Sequence, residues 1–189
     1  MLMLLIIILV LPSVTGNRNG SSAGDVGRAP FADPSATGSL GAGTPPPLTG
    51  TPREQADRLF DRIMRAQSGG DTATVTFFAP MGVQAYENAR PLDNDGLFHL
   101  AMIHNAAGSF AAARMAGDQI LEHSPDHLLG LAIAAEAALG AGDDAAAREY
   151  FGRYIDVYET QIARELPEYL DHAQILPEYL AAARNVTGR

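Results

Sequence analysis

The sequence contains no cysteine, no tryptophan and no lysine; all thirteen of its basic residues are arginine. The lack of cysteine excludes a disulfide framework, a thiolate zinc site, a cysteine nucleophile and a lipobox-type lipid anchor. Positive charge is also scarce: 22 acidic residues outweigh the arginines and leave a net charge of −9. Such a chain is a poor fit for general nucleic-acid binding, which needs a basic face to displace counterions. Several catalytic signatures are missing as well. There is no H-E-x-x-H, no G-x-S-x-G, no P-loop and no G-x-G-x-x-G after a strand. What is abundant is Ala, Arg, Gly and Asp, a bias that points to a GC-rich bacterial genome.

Three zones follow one another along the chain. Met1 to Leu11 is an unbroken run of eleven apolar residues. A spanning helix needs about 20, whereas the core of a signal peptide needs about 7–15. Residues 1–14 therefore read either as a signal peptide, with Val14-Thr15-Gly16 as a small-residue cleavage site, or as the back half of a truncated membrane anchor. The positively charged start of a signal peptide is missing. Residues 15–50 are rich in Gly, Ser, Pro, Thr and Ala, with Pro45-Pro46-Pro47 near the end. Such a segment buries too little apolar surface to offset its ordering entropy, so it is expected to be a disordered tether. Residues 51–189 read as helix almost throughout.

Helical punctuation is dense in this third zone. Thr51-Pro52-Arg53-Glu54 has a capping residue, a proline at the first helical position and a glutamate three after the cap. Ala56, Leu59, Phe60, Ile63 and Met64 then form one apolar stripe. Gly69-Gly70 ends that helix, and Asp71 can cap the next. Pro80 falls inside the second helix and is expected to kink or split it. Residues 94–127 superimpose on 128–161 at a period of 34: Leu97 falls on Leu131, Ala101 on Ala135, Gly108 on Gly142, Ala113 on Ala147, Gly117 on Phe151 and Ile120 on Tyr154.

A 34-residue period with this pattern resembles the tetratricopeptide repeat (TPR). Small residues at 101, 113, 135 and 147 permit close helix approach, and Gly108 and Gly142 end the first helix of each unit. Ser109 and Asp143 are placed to cap the second, and Phe110 and Phe151 to fill the space between hairpins. The first unit departs from the family pattern at His104, where a tyrosine is usual, and at Gly117, where an aromatic is usual; both units carry Leu in place of the first-helix Trp. Residues 51–90 fit only as a degenerate or capping helix pair, because Pro80 intrudes and Val75 stands where Ala is usual. Residues 165–186, with Leu166-Pro-Glu-Tyr-Leu170 repeated as Leu176-Pro-Glu-Tyr-Leu180, read as a broken C-terminal capping helix. The expected fold is all-α, a short α-solenoid of antiparallel hairpins behind the N-terminal segment and linker.

Candidate chemistry is thin. His123 and His127 are separated by a helix-breaking Pro125, so they read as turn residues rather than ligands. His99 and His104 have the wrong spacing for one helical face, and His172 stands alone. Asp93-Asn-Asp95-Gly96 lacks the later ligands of a calcium loop, and Asp93 or Asp95 serves better as a helix cap. No catalytic residue, metal or cofactor is expected. The resemblance implies instead a concave groove that binds a protein or peptide segment, presented by Asp95, Phe98, Met102, Asn105, Leu129, Ala132 and Glu136. The chain is thus expected to be a non-catalytic adaptor, membrane-tethered or exported, in a bacterial envelope assembly. A self-associating helical protein and a small metal-dependent enzyme are the alternatives. Because the tether contributes no core, residues 51–189 should give a helical circular-dichroism spectrum and melt cooperatively on their own; an unfolded spectrum for that fragment would contradict this division.

Overall fold

The structure is a computed structural model that describes residues 50–189. The segments expected at 1–14 and 15–50 lie outside the described residues, apart from Gly50. Among the described residues there are eight helices and no strand: α1 (Pro52–Ser68), α2 (Thr72–Asn88), α3 (Asn94–Ala106), α4 (Phe110–His123), α5 (Leu128–Gly140), α6 (Asp144–Ile162), α7 (Pro167–Asp171) and α8 (Leu176–Thr187). None of them is long and apolar enough to cross a membrane.

Local chemistry fixes most of the helix ends. Thr51 Oγ1 accepts from the Glu54 amide at 3.2 Å, while Glu54 Oε2 accepts from the Thr51 amide at 2.7 Å, a complete capping box. Asp71, Asp93 and Asp143 each accept from the amide three residues on and so cap α2, α3 and α6. Ser109 makes no such bond at α4, so the expected cap there is not formed. Gly108 and Gly142 have φ of +73° and +77°. This left-handed conformation lets the amides of Ser109 and Asp143 reach back to the carbonyls of His104 and Ala138, both at 2.8 Å. Consecutive helices are thereby turned back within three residues.

Proline 80 does not split α2. The helix runs continuously from Thr72 to Asn88 with Pro80 inside it. Proline removes the amide that would bond to Thr76, and both residues lie on the exposed side, where solvent can satisfy the freed carbonyl. Val75, Ala79, Gly82 and Tyr86 meanwhile keep the opposite side buried.

The packing is sequential. Each of α1 to α5 packs on the next, α3 also touches α1 and α5, and α8 lies on α6 and α5. The core has two parts. Ala56, Ile63, Val75, Ala79, Leu100 and Ile103 join α1 and α2 to one side of α3. The larger part is centred on α5, in which ten of thirteen residues are buried. A helix apolar on every side can only exist enclosed. Helices α4 and α5 approach so closely that a Cβ at Gly117 would lie 2.9 Å from Ile133 Cγ2 and 3.2 Å from the Ala134 backbone nitrogen. That is why glycine occupies a position where the resembling family has an aromatic.

The residues paired by the 34-residue register share their environments. Ala101, Ala113, Ala135 and Ala147 are all fully buried, as are Ile120 and Tyr154. Helices α3 and α5 begin at Asn94 and Leu128, and α4 and α6 at Phe110 and Asp144, an offset of 34 residues in both cases. Overpacking such a site with Ala147→Leu should cost about 1–3 kcal/mol, read as a lowered midpoint in chemical denaturation; unchanged stability would mean that Ala147 does not sit at a close helix contact.

Candidate functional site

The inner faces of α3 and α5 carry the residues expected to form a partner groove, and the chain's own C-terminal segment covers them. Phe98, Leu129 and Ala132 are fully buried, in one cluster with Tyr169 of α7 and Leu176, Tyr179 and Ala183 of α8. Met102 is half-buried against the same cluster. The face expected to lie open is therefore closed. The reason is apolar area: Phe98 and Leu129 are large side chains, and burying each is worth about 1.5–3 kcal/mol relative to exposure.

Polar contacts fasten the cover. Tyr169 Oη accepts from the Leu128 amide at 3.0 Å, satisfying a free amide in the first turn of α5. Tyr154 Oη donates to the Leu176 carbonyl at 2.8 Å. Tyr179 Oη donates to Glu136 Oε2 at 3.0 Å. Burial pushes the Glu136 carboxyl up to about 7, even though the Tyr179 hydrogen bond and the nearby Asn105 amide favour its charged form. Both polar atoms of that amide are buried without a hydrogen bond of ordinary geometry.

Asp95, the remaining groove residue, belongs to a second feature. It stands in the first turn of α3, four residues before His99, so both project from the same side of that helix. The end of α7 brings His172 to them: its Nε2 lies 2.8 Å from Asp95 Oδ1, and its ring meets Phe98 edge-on at 4.9 Å. His99 Nε2 lies 3.5 Å from the same carboxylate oxygen. One ligand atom from each of Asp95, His99 and His172 falls within 4.8 Å of the others. From sequence, His99 is weighed only against His104, and Asp95 only as a cap or a groove residue; the i, i+4 spacing of Asp95 and His99 is the local signal for that pair, and nothing local locates His172.

An outer ring of partners holds these groups. Phe60 stacks on the His99 ring at 3.9 Å. Tyr86 Oη donates to Asp57 Oδ1 at 2.7 Å and lies 3.0 Å from His99 Nδ1. Arg53 reaches Asp57 through Nε at 2.9 Å, Asp93 through Nη1 at 2.8 Å, and Asp95 Oδ2 through Nη2. Burial pushes the His99 imidazole below its ordinary value, against the pull of Asp95, and the nearby His172 and Arg53 push the same way. Burial alone would raise the Asp95 carboxyl, but the His172 hydrogen bond and the charge of Arg53 hold it below the usual carboxylate range.

The other sequence candidates stay apart. His123 is exposed and bonds only to the Gln119 carbonyl, whereas His127 is buried at the start of α5 with Nε2 3.1 Å from Glu168 Oε1. They form no common site. His104 lines an open groove of about 690 Å³ between α2 and the turn from α3 to α4. A smaller cleft of about 220 Å³ is lined by Asp93, Asp95, Glu168 and Asp171 beside the histidine pair. Comparison with family models, with curated proteins and with solved structures finds no match.

Glu136 supplies a pH signature. Its folded pKa of about 7 stands above the ordinary 4.5. Its contribution to stability is therefore complete below pH 4.5 and is lost as pH rises through about 7. Relative to Glu136→Gln, which cannot ionise, the wild type should lose on the order of 3 kcal/mol across that window. Parallel denaturation curves for the two proteins at each pH would refute the assignment.

Proposed function

We propose that this chain is a non-catalytic adaptor built as a short tetratricopeptide-like solenoid, working from a tether in a bacterial envelope. The solenoid reading rests on the 34-residue offset shared by α3–α4 and α5–α6, with its glycine turns and its buried alanines at equivalent positions. Helices α1 and α2 serve as the atypical first pair that such arrays use at their ends. The tether reading rests on the apolar run and the Pro-rich segment before residue 51.

The observation that carries the adaptor reading is the occupant of the inner face. An amphipathic helix, α8, presents Leu176, Tyr179 and Ala183 to the surface formed by α6 and α5. A face that accepts this helix from within the chain has the shape and chemistry to accept a similar helix from another protein. The partner is then an amphipathic helical segment with apolar residues at helical spacing, and α7–α8 is the resident it displaces. Self-association through the aromatic side of α6 has less support, because Phe151 and Tyr154 are buried.

The test is crosslinked capture from native envelope extract with three full-length baits. Ala183→Glu, which puts a charge into the buried seat of α8, should capture a specific protein more strongly than wild type. Adding Phe98→Ala and Met102→Ala should abolish that gain. Equal capture by all three baits, each with a helical spectrum, would sink the adaptor reading.

A further inference from the structure

We propose that Asp95, His99 and His172 form a binding site for one divalent transition-metal ion, with zinc as the representative, linking α3 to the C-terminal segment. Two imidazoles and a carboxylate are donors of intermediate softness, the set that zinc and its neighbours prefer over calcium or magnesium. The three ligand atoms already lie within 4.8 Å of one another. The site is independent of the adaptor reading, because it rests only on the geometry of these side chains and their supports.

The argument turns on where the protons are. Tyr86 has one hydroxyl proton, and the 2.7 Å contact with Asp57 Oδ1 uses it. At 3.0 Å from the same hydroxyl, His99 Nδ1 must be the donor. A neutral His99 therefore carries its lone pair on Nε2, which points toward Asp95 Oδ1 at 3.5 Å. Two acceptors facing one another need a proton or a cation between them, and Asp95 Oδ1 already accepts the His172 Nε2 proton at 2.8 Å, which a bound metal would displace. A metal ion meets the same need and uses the lone pair directly.

The supports are those that metal sites use. A ligating histidine is normally oriented by a hydrogen bond at its other nitrogen, and a ligating carboxylate is held by its second oxygen. Here Tyr86, backed by Asp57, orients His99, and Arg53 holds Asp95 Oδ2 so that Oδ1 faces both imidazoles. The cleft lined by Asp93, Asp95, Glu168 and Asp171 adjoins the site and gives an approaching cation a negative entrance.

The test is zinc titration of the full-length protein by calorimetry, with metal content measured after dialysis. One equivalent should bind, and the thermal midpoint should rise with zinc. His172→Ala and His99→Ala should each weaken binding by at least about tenfold, and Tyr86→Phe, which frees the His99 tautomer, by about tenfold. His104→Ala, outside the cluster, should leave it unchanged. Cobalt gives a second readout, since its visible bands should appear with the wild type and fade in the histidine variants. One result would overturn the proposal: equal zinc affinity in the wild type and in folded His99→Ala and His172→Ala.

Discussion

A helix without a polar side has to be surrounded, and α5 is such a helix. Its sequence from Leu128 to Ala138 offers solvent only Glu136, and that side chain is turned into a hydrogen bond with Tyr179. Helices α3, α4 and α6 enclose part of it. The rest of the enclosure comes from the C-terminal segment, whose Tyr169, Leu176, Tyr179 and Ala183 complete the same cluster. The hydrophobic effect has no direction of its own. It demands that the face be covered and leaves to chain length and local turns which residues do the covering. Here Glu165 at φ +49° and the proline-initiated helices α7 and α8 return the chain across the stack.

The polar residues carried along by this closure give it a definite register. Apolar contact alone tolerates sliding, but the bonds from Tyr179 to Glu136, Leu128 to Tyr169 and His172 to Asp95 each admit one placement. Burying these groups has a cost unless they are paired. The cost is visible at Glu136, whose carboxyl is pushed toward neutrality, and at the bare buried Nδ1 of His127. The Asp95, His99 and His172 cluster lies at the α7 end of the same cover, so a metal ion there would favour the closed arrangement.

Much of the scaffold was legible in the chain. Capping by Thr51, Asp71, Asp93 and Asp143 depends on contacts within three residues, and the left-handed glycines at 108 and 142 act within one turn. The 34-residue register predicted burial at both members of each alanine pair because helices that begin 34 residues apart return equivalent positions to the same contact. Pro80 does not split α2 because a proline's effect depends on which side of the helix it occupies, and an exposed side can absorb the lost bond. Ser109 was misjudged because a capping residue supplies only the possibility of a bond.

The groove and the cluster lay beyond such reading. Phe98, Leu129 and Ala132 are buried in one cluster, but helical periodicity says only that a face is apolar, not what lies on it. His172 looked solitary because its partners are 77 residues away in the case of Asp95 and on a different helix. The sequence by itself determined the helices, their turns and the faces that had to be buried, since these follow from short-range geometry and from the amount of apolar surface. Only the tertiary structure decided that the C-terminal segment closes the inner face and that a lone histidine joins an aspartate and a second histidine. Long-range pairing depends on how the whole chain shares out its buried area, and no local spacing encodes that.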